Sequence, residues 1–310
     1  MSEAEFLEIA KRVSNWGRWG PEDERGTLNL ITPEVVKRAA RCVRRGRVFS
    51  LGLAFGADGP QPGVGVRFNP LHYMSAIGEV IGGGGLRFCY SDDVVHMPLQ
   101  CATQWDALAH VHYAGQIYNG FAADEVLTTH GASRGSIDKA ARDGIVSRGV
   151  LLDVARQRGV DRLAPDVVIG PAELDATARA AGIEPGPGDA QLLRTGHIRV
   201  FTEDRDAVRF AGASPGLGMD CAEWLRERDI AAVCADNVAV EPLPGAVPGL
   251  PIPLHMLCIR DMGMLFGEML DLEALSSDCA EDGVYEFLFS APPLAVTRGI
   301  GSPINPLAVK

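Results

Sequence analysis

The densest chemistry in this chain lies between residues 100 and 112, Gln-Cys-Ala-Thr-Gln-Trp-Asp-Ala-Leu-Ala-His-Val-His. A carboxylate (Asp106), two imidazoles (His110, His112), two amides (Gln100, Gln104) and a hydroxyl (Thr103) share this short stretch. In extended backbone, alternate residues fall on one face. Positions 100, 104, 106, 108 and 110 then present Gln100, Gln104, Asp106 and His110 together. Polar groups gathered on one side of a strand in an apolar chain need either mutual hydrogen bonds or a pocket. A hydrogen-bonded core network beside a turn meets that need, and so does a site. Read as a site, the segment suits general acid–base work. His110 carries a proton near neutral pH, Asp106 orients it, and Thr103 or Gln104 donates to an oxyanion. Trp105 points to the opposite side and reads as packing.

Elsewhere the candidates are single residues. His72, His96, His130 and His197 stand alone, and a lone histidine is more often structural; His112 is read the same way. No Gly-x-Ser-x-Gly elbow occurs, and Cys101 lies beside the polar face rather than on it, so a serine or cysteine nucleophile is disfavoured. Gly82–Gly85 sits in no strand–helix context that would cradle phosphate, and Gly216–Asp220 lacks the preceding glycines of a dinucleotide fingerprint. The seven cysteines, at 42, 89, 101, 221, 234, 258 and 279, form no Cys-x-x-Cys pair and read as reduced, mostly buried thiols.

The elements that must position these residues can be outlined from periodicity. Residues 33–46 read as a helix with Pro33 at its start and Gly46 as its stop. Residues 47–100 look strand-rich and are broken by glycine clusters at 62–65 and 82–85. Apolar runs at 149–154, 190–195 and 230–236 read as strands, with helices at 171–182 and 219–229 between them. That alternation predicts an α/β fold with a covered, partly parallel sheet. We expect one domain over 1–310, with an N-terminal arm (1–32) and a C-terminal tail (290–310) wrapping the surface or a partner subunit.

Charge narrows the partners. A net charge of -11 argues against nucleic acid and against an anionic membrane surface, leaving a small-molecule substrate. The N-terminus shows no secretory leader and no apolar run is long enough to span a bilayer, so a cytoplasmic location is expected. The apolar tail, too large a surface for a monomer to expose, suggests a homodimer or homotetramer.

The 100–110 segment resembles the His-x-Gly-Thr-His-x-Asp-x-Pro-x-His signature of the cyclase family that includes bacterial kynurenine formamidase and isatin hydrolase. Thr103, Asp106 and His110 match; Gln100 and Gln104 replace the two metal histidines, Ala102 the glycine and Leu108 the proline. RTG (194–196), SPGLGMDCAEWL (214–225) and ADNVAVE (235–241, with Ala239 for the usual serine) are similar to further family segments. His255 and Glu268, in PLHMLCIRDMGMLFGEML (253–270), fall where the family has its late ligands. The N-terminal segment 15–31 and the end of the tail resemble a longer branch of the family.

The resemblance implies a single α/β domain of the swivelling β/β/α type with a mixed sheet and flanking helices. It implies a homodimeric hydrolase that attacks a carbonyl C–N or C–O bond of a small cyclic amide, lactone or ester with activated water. Two alternatives stay open: a ring-closing cyclase of the polyketide type, and a binding protein that kept the fold without catalysis. Two amides in place of two imidazoles are incompatible with a double zinc site, because amide oxygen is a weak, hard donor. One divalent metal, Mn or Zn, held by Asp106, His255 and Glu268 with Gln100 or Gln104, is one outcome; a metal-free site worked by His110 and Asp106 is the other.

Overall fold

The computed structural model describes residues 3–63 and 65–310. Helix α1 (Glu3–Val13) and helix α2 (Pro33–Ala40) precede strand β1 (Val48–Ser50). A long hairpin follows, β2 (Leu71–Ile81) and β3 (Phe88–His96), and then β4 (Gln104–Asp106). Strand and helix next alternate: β5 (Val146–Asp153), α3 (Pro171–Ala180), β6 (Ala190–Arg194), α4 (Cys221–Glu227), β7 (Ala232–Ala235). Strand β8 (Leu265–Glu268), helix α5 (Glu273–Asp282) and strands β9 (Glu286–Ser290), β10 (Gly301–Pro303) and β11 (Leu307–Val309) complete the chain.

Nine of these strands form one mixed sheet in the order β1-β11-β9-β5-β6-β7-β8-β4-β10. The centre, β5 to β8, is parallel, and both flanks are antiparallel. The expected α/β class with a mixed sheet and flanking helices is therefore the fold. Its cause is legible in neighbouring apolar residues. Leu151, Leu192, Ala232 and Leu265 enter one hydrophobic core, while Leu152, Leu193, Val233 and Phe266 enter another on the opposite face. A strand buried on both faces needs such unbroken apolar runs. Helix α4 buries Trp224 and Leu225 in the same core as Phe6, Ile9 and Val13 of α1.

Three regions depart from the sequence reading. Helix α2 stops at Ala40, not at Gly46, because the amides of Arg45 and Arg47 are drawn to the carbonyl of Lys310 at the far end of the chain. The end of the tail, residues 301–309, is taken into the sheet, while Leu294 before it stays exposed. Strand β10 pairs with β4, and β11 fits between β1 and β9, so this end is part of the chain's own sheet. The apolar surface that remains exposed is instead the β2–β3 hairpin, which carries outward-facing Leu71, Tyr73, Met74, Ile77, Val80, Ile81, Phe88, Val94 and Val95. No helix among the described residues is long and apolar enough to cross a membrane.

Candidate functional site

Strand β4 lies antiparallel to β8, with Gln104 opposite Glu268 and Asp106 opposite Phe266. Gln104, Asp106 and Glu268 therefore share one face at the sheet's interior. The Gln104 amide Nε2 donates to Glu268 Oε2 at 2.8 Å and lies 3.4 Å from Asp106 Oδ1. His255 comes from the short helix Pro253–His255, which runs on into a π-helical turn over Met256–Met262. A π-turn widens the helix locally and commonly marks functional positions. The N-terminal arm braces it: Asn15 donates to Met262 O and the Trp16 indole to Arg260 O.

Asp106, His255 and Glu268 each offer a ligand atom, and these atoms lie within 4.8 Å of one another. His255 Nε2 is 3.2 Å from Glu268 Oε1, and its Nδ1 is 2.6 Å from Glu241 Oε1. Glu241 also accepts the backbone N–H groups of Leu254 and His255. It thus fixes both the helix start and the ring. Sequence reasoning quoted the ADNVAVE segment but assigned Glu241 no role. The strand's position before a glutamate was the available signal; the partner, fourteen residues on, was not.

The extended face expected over 100–110 is corrected by the structure. Only 104–106 is strand. The chain then turns, with His110 N–H donating to Ala107 O, and Leu108 enters the core. The turn brings His110 back, its Nε2 3.7 Å from Asp106 Oδ1. Thr103 is spent structurally: its hydroxyl donates to Met269 O at 2.6 Å and accepts from Leu53 N–H at 2.8 Å, which leaves no proton for an oxyanion. Gln100 packs its amide against Gly301 of β10, where a Cβ would come within 2.3 Å of Gln100 Nε2. No hydrogen bond joins Gln100 to the carboxylates among the described residues. Trp105 points away, fully buried, its indole N–H bound to Ala291 O. His72 and His96 sit on the hairpin, His112 and His130 are exposed, and buried His197 faces Phe210 O at 3.0 Å.

The electrostatics follow from burial. Burial together with the Asp106 charge pushes the Glu268 carboxyl up to about 7. Burial alone would lower His255, but hydrogen bonds to Glu241 and Glu268 outweigh it and push the ring up to about 10. Burial also lowers His110, with Asp106 opposing only in part. Arg67, which makes no ion pair among the described residues, lies near enough for its charge to act on both His110 and Glu268. Three polar atoms of this region are buried without partners: Gln100 Nε2, Gln104 Oε1 and His110 Nδ1. Buried polar groups of this kind call for a partner, and Gln104 Oε1 is the one of the three that can only accept or ligate.

The residues fit one divalent cation. Two carboxylates match its charge, and Glu241 on Nδ1 orients Nε2 of His255 toward it, the usual carboxylate–histidine–metal arrangement. Gln104 Oε1 is the free amide oxygen that a hard cation accepts. Fold and site together define an α/β protein with a candidate metal centre between two strands of its sheet.

The comparisons with known proteins give the family. The model described as "Putative cyclase" matches residues 19–242, and a crystal structure described as a novel cyclase is 35% identical, covering 97% of this chain and 99% of its own, with a TM-score of 0.87. The chain belongs to the cyclase family. Isatin hydrolase A from Labrenzia aggregata, bound to benzyl benzoate, shares the fold at 20% identity over 87% of this chain and 94% of its own, TM-score 0.62. Isatin hydrolase A from Ralstonia solanacearum does so at 21% over 89% and 97%, TM-score 0.62. Among curated proteins no match was found.

Proposed function

We propose that this chain is a hydrolase that opens a carbonyl C–N or C–O bond in a small cyclic amide, lactone or ester. The observation that carries the reading is the convergence of Asp106, His255 and Glu268 beside His110. These residues come from three separate stretches of chain, Asp106 and His110 from one, His255 and Glu268 from two others. The isatin hydrolases of similar fold, whose name describes opening of a cyclic amide, support the substrate class.

In this reading Asp106, His255 and Glu268 would hold one divalent cation, Mn or Zn, with Gln104 as a further candidate ligand. The chemistry such a cation would supply is acidification of water and polarisation of a carbonyl. The protein's own groups do the rest. Glu241 accepts from His255 Nδ1 and turns Nε2 toward Glu268, where the cation would sit. His110, kept neutral by burial, takes a proton from the attacking water and returns it to the leaving nitrogen or oxygen. Asp106, 3.7 Å away, stabilises the imidazolium that forms. Arg67, whose charge is felt by His110 and Glu268, adds positive charge for a developing oxyanion. The working unit is a homodimer joined through the exposed hairpin.

Ring closure is the second reading, favoured by the 35% identical structure described as a cyclase. It uses the same base and the same polarised carbonyl but consumes no water. Metal analysis of protein purified without chelator, followed by a panel of cyclic amides, lactones and N-formyl aryl amines, tests the proposal. Turnover that consumes one water and depends on a stoichiometric metal supports it. No bound metal and no turnover across the panel sinks it in favour of ring closure or binding alone.

A further inference from the structure

We propose a second ligand site, for a small organic dianion, in the cavity between helix α2 and strands β5 and β9. The cavity has a volume of about 520 Å³, the size of an ordinary small-molecule site. Four arginines line it: Arg38, Arg41, Arg44 and Arg148. Facing them are the lining carboxylates Glu184 and Glu286 and, behind the wall, the fully buried Asp189.

The ion pairs leave positive charge over. Asp189 is already satisfied: Arg38 reaches Oδ1 at 2.6 Å, and Arg148 reaches Oδ2 at 2.8 Å, where the Gly186 amide also donates. Arg148 also takes Glu286 Oε2 at 2.8 Å. That leaves Arg44 a single long contact of 3.4 Å to Glu286, and Arg41 no side-chain partner among the described residues. Glu184 is exposed and none of the arginines pairs with its carboxylate. The Nε–H of Arg38 is buried and unpartnered behind the guanidinium. In a chain of net charge -11, guanidinium groups crowded with too few carboxylates reverse the local sign.

Guanidinium forks select phosphate and carboxylate oxygens. Arg41 and Arg44, without adequate partners, can each take one anionic group of a ligand, while the unpaired Glu184 holds the excess of this cluster to one positive charge; Ile183 and Tyr285 offer apolar wall for an organic body. The ligand class is therefore a phosphate monoester or a dicarboxylate. Arg148 and Glu286 lie on β5 and β9, and β5 is three strand spacings from β8, roughly 14 Å. A ligand here does not touch Asp106, His255 or Glu268, so it acts as an effector or stabiliser rather than as substrate.

Titration calorimetry on the full chain, with phenyl phosphate, inorganic phosphate and succinate at matched ionic strength, tests this. We expect saturable one-to-one binding by at least one dianion and none by chloride. Which of the three binds tightest separates phosphate from dicarboxylate recognition. Arg41→Gln and Arg44→Gln remove exposed side chains, so the fold should survive, and each should weaken binding at least tenfold. Arg87→Gln, on the hairpin, should leave affinity unchanged. The proposal is overturned if no dianion binds beyond the ionic-strength control. It is equally overturned if Arg41→Gln and Arg44→Gln bind as tightly as the parent, or if Arg87→Gln loses as much.

Discussion

His110 and Glu241 divide the work at the scale of single residues. His110 is a histidine that burial keeps neutral, so it is a base before it is an acid. Its group titrates below its usual value of 6.5, and activity that needs the neutral ring falls away on the acid side of that value. His110→Ala should lower kcat by about 10²–10⁴-fold, the usual contribution of a positioned proton carrier, and abolish that acid limb while the melting temperature stays put. Full activity in His110→Ala would remove it from the mechanism. Glu241 acts at one remove, through His255. Glu241→Gln keeps the size but offers one acceptor oxygen where Leu254 N–H and His255 N–H use two, and it loses the charge behind the ring. Metal affinity should drop by about 10–100-fold, read by equilibrium dialysis, with the far-ultraviolet spectrum unchanged. An unchanged affinity would mean that His255 is not a ligand.

Among the elements, the C-terminal strand is the least expected and the most tied down. Lys310 is buried and its Nζ pairs with Asp278 at 2.9 Å and Asp282 at 2.7 Å, on helix α5. Arg45 and Arg47 close on Asp278 from the other side. Burial works to raise both carboxyls, but the Lys310 hydrogen bond and the cationic neighbours outweigh it and hold them below the usual 3.8. A depressed carboxyl stabilises the fold above its unfolded value and loses that contribution as pH falls through its folded value. Lys310→Met should therefore cost about 1.5–3 kcal/mol at pH 7, the worth of a charged hydrogen bond. The gap between variant and parent should narrow as the pH falls below 3.8. Urea titrations at pH 7 and in acid make the comparison. A gap that does not depend on pH would show that Lys310 contributes by packing alone.

For the molecule as a whole, the hairpin sets the question of assembly. A two-stranded ribbon with both faces wet is marginal in water, and β2–β3 keeps nearly all its residues exposed. Its apolar side chains make a larger patch than a soluble monomer ordinarily shows. Light scattering at micromolar concentration should report a dimer. Replacing residues 74–93 by a short Gly-Ser turn should give a monomer with its sheet intact. If the parent is a monomer, or the shortened chain remains a dimer, the hairpin is not the interface. The foot of the hairpin is tied together where Phe68, just before β2, meets the His96 ring at the end of β3 at a tilt, and the charge of neighbouring Arg67 is felt by His110 and Glu268. Losing the partner should then also change the substrate KM.

The amino-acid sequence alone determined what depends on local pattern and residue identity. Runs such as VLL (150–152) and AVCA (232–235) are apolar at consecutive positions, which suits strands covered on both faces, so the parallel centre of the sheet was readable. Asp106, His110, His255 and Glu268 were nominated by residue type and by likeness to a family motif. What only the tertiary structure decided depends on contacts between distant segments. Gln104 meets Glu268 across 164 positions, and Arg45 meets Asp278 across 233. No periodicity signals such a pairing, because the hydrogen bonds that select it form only when the sheet closes. The same cause explains the errors. Residues 107–110 turn because Ala107 and Gly135 offer their carbonyls to His110 and Ala109, not because of any turn residue in that stretch. Helix α2 ends early because Lys310 claims the amides beyond it. Glu241 became visible only once the helix it caps had folded back beside its strand.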